Sequence, residues 1–237
     1  MSRGILNITE NETGEAGSGA AAGTPYAFEL TGGARCLDLV NTLGNRRGPE
    51  PLEEHLATYA DLVDFAFQSG DLSAEEVGAL RVAGAARPDE AARVLARAVA
   101  LREAIYRIFD PLARGGRPDA EGLADLNDEL RQALRHARLE RRGEGYALAW
   151  DAPGSGAPEL DAPLWPVARS AMELLLDADL SRLGECDSDT CGFLFLDTTR
   201  NKSRRWCDTR VCGNRARVRA HRRRQTGAGR AGRASGG

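Results

Sequence analysis

The sequence predicts an α+β chain: a mostly helical N-terminal domain with a small β-hairpin, followed by a treble-clef-like module built on four cysteines. Three observations predict it. Apolar residues recur at three- and four-residue spacing over most of the span 25–182. That period breaks around Gly143-Glu144-Gly145 into two short strand-like runs. Four of the five cysteines crowd into the segment from Cys186 to Cys212.

The elements follow in order. Residues 1–24, dominated by Gly, Ala, Ser, Thr and Glu, read as a disordered leader. Leu37, Val40 and Leu43 predict a short amphipathic helix, and Cys36 beside them reads as a small buried hydrophobe. Tyr59, Leu62, Val63, Phe65 and Ala66 predict a second helix, ended by Gly70. Ser73 with Glu76 is a capping-box signature for a third. Pro88-Asp89 opens the longest, whose stripe runs from Val94 to Ile108 and stops at Pro111. A fifth spans Pro118 to about His136, with Leu123, Leu126, Leu130 and Leu134 on one face. A hairpin follows over 138–150, then a Pro/Gly loop, then a last helix burying Val167, Ala171, Leu174 and Leu175. The division reads 1–24 leader, 25–182 helical domain, 183–225 cysteine module and 226–237 disordered tail.

The cysteines are spaced Cys-x4-Cys-x15-Cys-x4-Cys over Cys186, Cys191, Cys207 and Cys212. In a reducing compartment such a cluster holds metal more often than disulfides. Four thiolates fill the tetrahedral shell of one Zn2+ and leave no open position, which makes the ion structural rather than catalytic. In so small a module its binding contributes on the order of 10–16 kcal/mol to folding. Between the pairs, Gly192 to Asp197 is strand-like, Thr198 to Ser203 is turn-like, and Arg204-Arg205-Trp206 leads back to Cys207, which reads as a hairpin. The run after Cys212 can be helical, so knuckle, hairpin and helix succeed one another.

The net charge of -3 conceals a split. Residues 186–237 carry 13 basic and 4 acidic side chains, a net of +9, and residues 1–185 carry 19 and 31, a net of -12. The basic residues concentrate at Arg200, Lys202, Arg204, Arg205, Arg210, Arg215, Arg217, Arg219, Arg222, Arg223 and Arg224, opposed only by Asp208. Such charges repel one another unless an anion neutralises them, and the guanidinium fork matches phosphate oxygens and guanine edges. A metal-held module presenting an Arg-rich helix is suited to nucleic acid. Asn214 and Arg215, at the helix start, are best placed to reach bases, with the other basic residues on the backbone. A polar cluster of Asp38, Asn41, Thr42 and Arg46 could line a small-molecule pocket, or equally cap and pack helix ends.

These residues resemble a known bacterial family. Cys212-Gly213-Asn214-Arg215 is the motif of the CGNR zinc-finger proteins, and Phe195-Leu196-Asp197-Thr198-Thr199-Arg200-Asn201 and Arg205-Trp206-Cys207 look like the rest of that finger. Cys36-Leu37-Asp38-Leu39-Val40-Asn41-Thr42 resembles the opening of the family's N-terminal ABATE domain. The family is described under stress-induced transcriptional regulators. The resemblance implies DNA binding by the finger and a sensory or assembly role for the helical domain.

The leading expectation is a zinc-dependent regulator of transcription binding double-stranded DNA, with a small-molecule effector and a homodimer as further expectations. The alternative is an RNA-binding or ribosome-associated protein. No enzyme is expected: there is no Gly-rich phosphate loop or HExxH pair, and the three histidines are scattered. No stretch reaches the ~20 apolar residues of a membrane span, and no secretory signal follows Met1, so a cytoplasmic protein without a membrane partner is expected. Lys202 is the single lysine against 31 arginines, a bias of GC-rich bacterial genomes.

Overall fold

A computed structural model describes residues 25–151, 158–219 and 221–222. The leader, the tail and Arg223 lie outside the described residues, as does most of the Pro/Gly loop. Among the described residues, six helices form the body: α1 (Arg35–Val40), α2 (Tyr59–Gln68), α3 (Ala74–Ala86), α4 (Pro88–Ala113), α5 (Ala120–Ala133) and α6 (Trp165–Asp177). Three antiparallel pairs accompany them: β1 (Leu43–Gly44) with β2 (Glu53–Glu54), β3 (Ala137–Arg142) with β4 (Gly145–Trp150), and β5 (Leu183–Glu185) with β6 (Leu194–Leu196). No helix among the described residues is long and apolar enough to cross a membrane.

Local chemistry accounts for most boundaries. The Ser73–Glu76 capping box is formed, and Thr58–Asp61 forms a second one at the start of α2. Such reciprocal caps satisfy amide donors that the first helical turn leaves open. Three expectations shift by a turn or less. Leu43 leaves the first helix for β1, because α1 ends at Asn41. Pro111 lies inside the last turn of α4 instead of ending it. Pro111 has no N–H to offer the carbonyl of Arg107, which accepts from the Asp119 amide at 3.4 Å instead. Leu134 falls in a 3-10 turn after α5 and is 41% exposed, because the tighter winding rotates it off the Leu126 face.

Helix α4 lies at the centre, packed against α1, α2, α3, α5 and β5. Its Leu101, Ile105, Ile108 and Phe109 meet Leu37 and Leu39 of α1, Phe65 of α2 and Val167 of α6 in one core. Cys36 is fully buried in that core, and burial pushes its thiol up to about 12, as expected of a packing residue. Leu183 of β5 and Leu194 of β6 belong to the same core. The finger is therefore fused to the body by shared apolar packing.

The finger's hairpin differs from the expected one in its partner. The strand containing Phe195 pairs with Leu183–Glu185, ahead of Cys186, and the first knuckle forms the turn between them. The segment returning to Cys207 pairs with the knuckle at one point, where Asp187 N–H donates to the carbonyl of Arg205 at 2.8 Å. Strand β6 is apolar enough to enter the body's core, and the polar return segment is not.

Candidate metal centre and nucleic-acid interface

The four cysteines are brought together by separate elements. Cys186 follows β5, Cys191 closes the first knuckle, Cys207 ends the returning segment, and Cys212 lies in a π-helical turn, Thr209–Gly213. All four are buried, and their sulfurs lie within 4.8 Å of one another. The Cys191–Cys207 and Cys207–Cys212 sulfur pairs are 3.6 Å apart. A disulfide needs about 2.05 Å. A tetrahedron with zinc–sulfur bonds of ~2.3 Å has edges of about 3.8 Å. The donor set and spacing thus fit one structural Zn2+ held by Cys186, Cys191, Cys207 and Cys212. Hydrogen bonds from the other three thiols hold Cys186 well below the usual thiol range, whereas Cys191 and Cys207 are pushed above it by theirs to Cys186. Crowded together, the four thiols cannot all ionise unless a cation lies among them, and a bound Zn2+ would supply that charge.

Phe193, Phe195 and Trp206 pack around the cysteines as the finger's own small core. Gly213 of the Cys-Gly-Asn-Arg run lies flat against Trp206: a Cβ there would sit 3.3 Å from the indole. Gly192 has φ +76°, and a Cβ there would stand 2.9 Å from that of Arg46. At that position the knuckle and the body touch.

This seam is built by the residues expected to line a small-molecule pocket. The Asn41 amide donates to the Leu194 carbonyl at 2.9 Å and accepts from the Leu194 N–H at 2.9 Å. Arg46 and Arg47 amides donate to the carbonyls of Cys191 and Thr190, both at 3.2 Å. The Arg46 guanidinium forks onto Glu103 at 2.9 and 3.0 Å and lies over the Tyr106 ring at 4.2 Å. The Thr42 hydroxyl donates to the Leu39 carbonyl at 2.7 Å. Asp38 accepts from the Gly32 amide at 2.7 Å, and burial lifts its carboxyl to about 6. Each of Asp38, Asn41, Thr42 and Arg46 is committed to an internal bond, which is the packing alternative of the two readings.

Behind the seam stands a residue that no local sequence pattern marks. Arg102 is 2% exposed and donates to both Glu54 oxygens at 2.6 and 2.7 Å, to Glu103 at 2.9 Å and to the Thr42 hydroxyl at 3.3 Å. Burial alone would raise the Glu54 and Glu103 carboxyls; guanidinium hydrogen bonds, from Arg102 to Glu54 and from Arg46 and Arg102 to Glu103, outweigh it and hold both below their ordinary values.

The basic residues divide by what they touch. Arg204 faces inward. Its guanidinium donates to the carbonyls of Trp206, Leu196, Thr31 and Cys207 and lies over Phe195 at 4.2 Å. Lys202 pairs with Asp179 at 3.2 Å and also meets the Ser181 hydroxyl. Arg219 ties the terminal helix to the first knuckle through Ser188 at 3.2 Å and Asp189 at 3.5 Å. Arg205 pairs with Asp187 at 2.6 Å and lies over Trp206. Arg200, Arg210, Asn214, Arg215, Arg217 and Arg222 are exposed, Arg210 to 92% of its side chain. Residues 214–219 continue as helix from the turn that holds Cys212, so Asn214 and Arg215 stand at its start.

A helical body fused to a four-cysteine treble clef with an Arg-rich terminal helix defines a zinc-finger protein. The model of the ABATE family, described as "Putative stress-induced transcription regulator", matches residues 33–178, and that of the CGNR zinc finger matches residues 182–225. The chain belongs to the ABATE family and carries a CGNR zinc finger. A comparison with curated proteins found no match.

Proposed function

We propose that this protein is a DNA-binding regulator of transcription whose zinc finger presents the helix beginning at Asn214 to double-stranded DNA. The observation that carries the reading is the exposed set Arg200, Arg210, Arg215 and Arg217, displayed on and beside a helix that starts at the metal site. Of this set only Arg210 has a carboxylate partner among the described residues, Asp208, so the net positive charge attracts an anion, and a helix with Asn and Arg at its start has the chemistry to read base edges in a major groove. The zinc holds the helix start in place, and the body supports the finger through the seam. The reading assigns the chain no catalytic step and places it in the bacterial cytoplasm.

Regulation by the body is part of the same proposal. A cavity of about 990 Å³ between α2, α3 and α4, lined by Tyr26, Tyr59, Asp64, Arg81 and Leu95 among others, is where a small effector would enter. A palindromic operator would require two copies.

The test is binding of zinc-loaded protein to duplex DNA and to RNA of matched length across a salt series. The reading expects tighter duplex binding, a steep fall with salt, and loss of binding in Cys207→Ala. A preference for RNA would replace it with the RNA-binding alternative, and no binding to either at low salt would refute both.

A further inference from the structure

The finger has a second basic surface beside its helix. Between the turn at 199–203 and the turn that holds Cys212 runs a groove of about 500 Å³, lined by Thr199, Ser203, Arg205, Trp206, Thr209 and Arg210 together with Arg204, Cys207 and Asp208. Its charged side chains are three guanidiniums and one carboxylate. Asp208, its one carboxylate, already accepts from the Arg210 amide at 2.5 Å and the Arg210 guanidinium at 3.3 Å. The Arg204 guanidinium is spent on carbonyls; Arg205, paired with Asp187 at 2.6 Å, and Arg210, paired with Asp208, are exposed ion pairs of the kind that contributes little and can exchange a carboxylate for a phosphate. The Thr199 oxygen accepts from the Ser203 amide at 3.0 Å and lies 3.5 Å from the Ser203 hydroxyl, a long contact that a phosphate oxygen can replace as the acceptor of its hydrogen. Trp206 is not open to stack a base, because Arg205 lies over the ring at 5.0 Å and Gly213 lies against it.

We propose that this groove seats one backbone phosphate of the bound nucleic acid, between Arg205 and Arg210, with the Thr199 hydroxyl as a further donor. The proposal rests on the DNA-binding reading and deepens it. A phosphodiester supplies negative charge to a groove in which guanidiniums outnumber carboxylates. Its place also matters: Arg210 lies in the turn that leads to Asn214 and Arg215, so a phosphate held here sets where those side chains land. Phosphate contacts of this kind fix register while base contacts specify sequence.

The test compares wild type, Arg210→Gln and Arg215→Gln on duplex DNA across salt. Zinc content serves as the check on folding; Arg210 is exposed and its substitution removes only the pairing with Asp208. Arg210→Gln should weaken binding roughly fivefold at low salt. It should flatten the slope of log affinity against log salt by about 0.9, alike on all sequences. Arg215→Gln should change the order of preferred sequences. A duplex with one neutral methylphosphonate at the seated position should bind wild type and Arg210→Gln equally. An unchanged slope in zinc-loaded Arg210→Gln, or a loss confined to one sequence, would overturn the phosphate seat while leaving DNA binding intact. Failure of the wild type to bind DNA would overturn the underlying reading instead.

Discussion

Replacing Asn41 by Leu tests whether the finger and the body are one folding unit. Asn41 is 5% exposed, and its amide satisfies both backbone groups of Leu194. Leucine keeps the approximate shape and removes both bonds, leaving a buried N–H and a buried carbonyl without partners. Each such orphan costs about 1–3 kcal/mol. The extra apolar burial returns about 1–2 kcal/mol, so the net loss is about 1–4 kcal/mol, a large share of the stability of an ordinary domain. The assay is urea unfolding of the zinc-loaded protein, followed by helical circular dichroism for the body and by tryptophan fluorescence, to which Trp206 of the finger contributes. In the wild type both signals should move in one transition, and in the variant both should shift together to lower urea. Asn41→Asp should be worse at neutral pH, because its carboxylate faces the Leu194 carbonyl. A loss under about 0.5 kcal/mol in Asn41→Leu, or two separate transitions in the wild type, would refute the argument.

Three further outcomes follow from the same geometry. Cys207→Ala should lose zinc and DNA binding and keep most of the far-ultraviolet helical signal, while lowering the body's stability through Leu183 and Leu194; an unchanged urea midpoint would contradict the shared core. Arg204→Gln should lower the stability of the finger by about 2–4 kcal/mol, since its guanidinium serves four carbonyls, yet leave the salt slope of DNA binding unchanged; a flatter slope would place Arg204 on the DNA. Asp38 titrates near 6 when folded and near 3.8 when unfolded, so the folded state holds the extra proton between those values. Its contribution to stability is present below about pH 4 and lost as pH rises through 6. Asp38→Asn keeps an acceptor for Gly32 and should gain about 1–3 kcal/mol at pH 7, with less pH dependence across that window by thermal melts at pH 4 to 7.

How much of this was legible in the sequence depended on the range of the cause. Helices α2 to α6 were readable because their apolar period is written in consecutive turns, and the Ser73 cap because its partner is three residues away. The Thr58–Asp61 box has the same spacing and went unread, since Asp occupies the third position where Glu or Gln is the familiar signal. The four metal ligands were readable because thiolate spacing is itself the chemistry. The role of Asn41 was not, because its partner lies 153 residues along the chain. Strand β5 was missed because Leu183-Gly184-Glu185 has no strand character of its own and is recruited by β6. The charge of the Arg-rich segment was plain, yet the sequence could not show that Arg204 turns inward while Arg210 turns out. That division is set by carbonyls that the fold delivers to one of them.

The arginine that bridges Thr31 to Cys207, and the loop amides that reach the knuckle, bear on modularity. A finger cut at the start of β5 and grafted onto another protein would leave behind the stretch from Gly32 to Gly48 that completes it. Leu183 and Leu194 would be left facing water, and the knuckle carbonyls of Thr190 and Cys191 would lose their amide donors. A transplant that keeps the metal site's surroundings must carry this N-terminal stretch as a second, discontinuous piece. Recombination at the boundary between the two matched segments would therefore give a chimaera that has every zinc ligand and an incomplete scaffold around them.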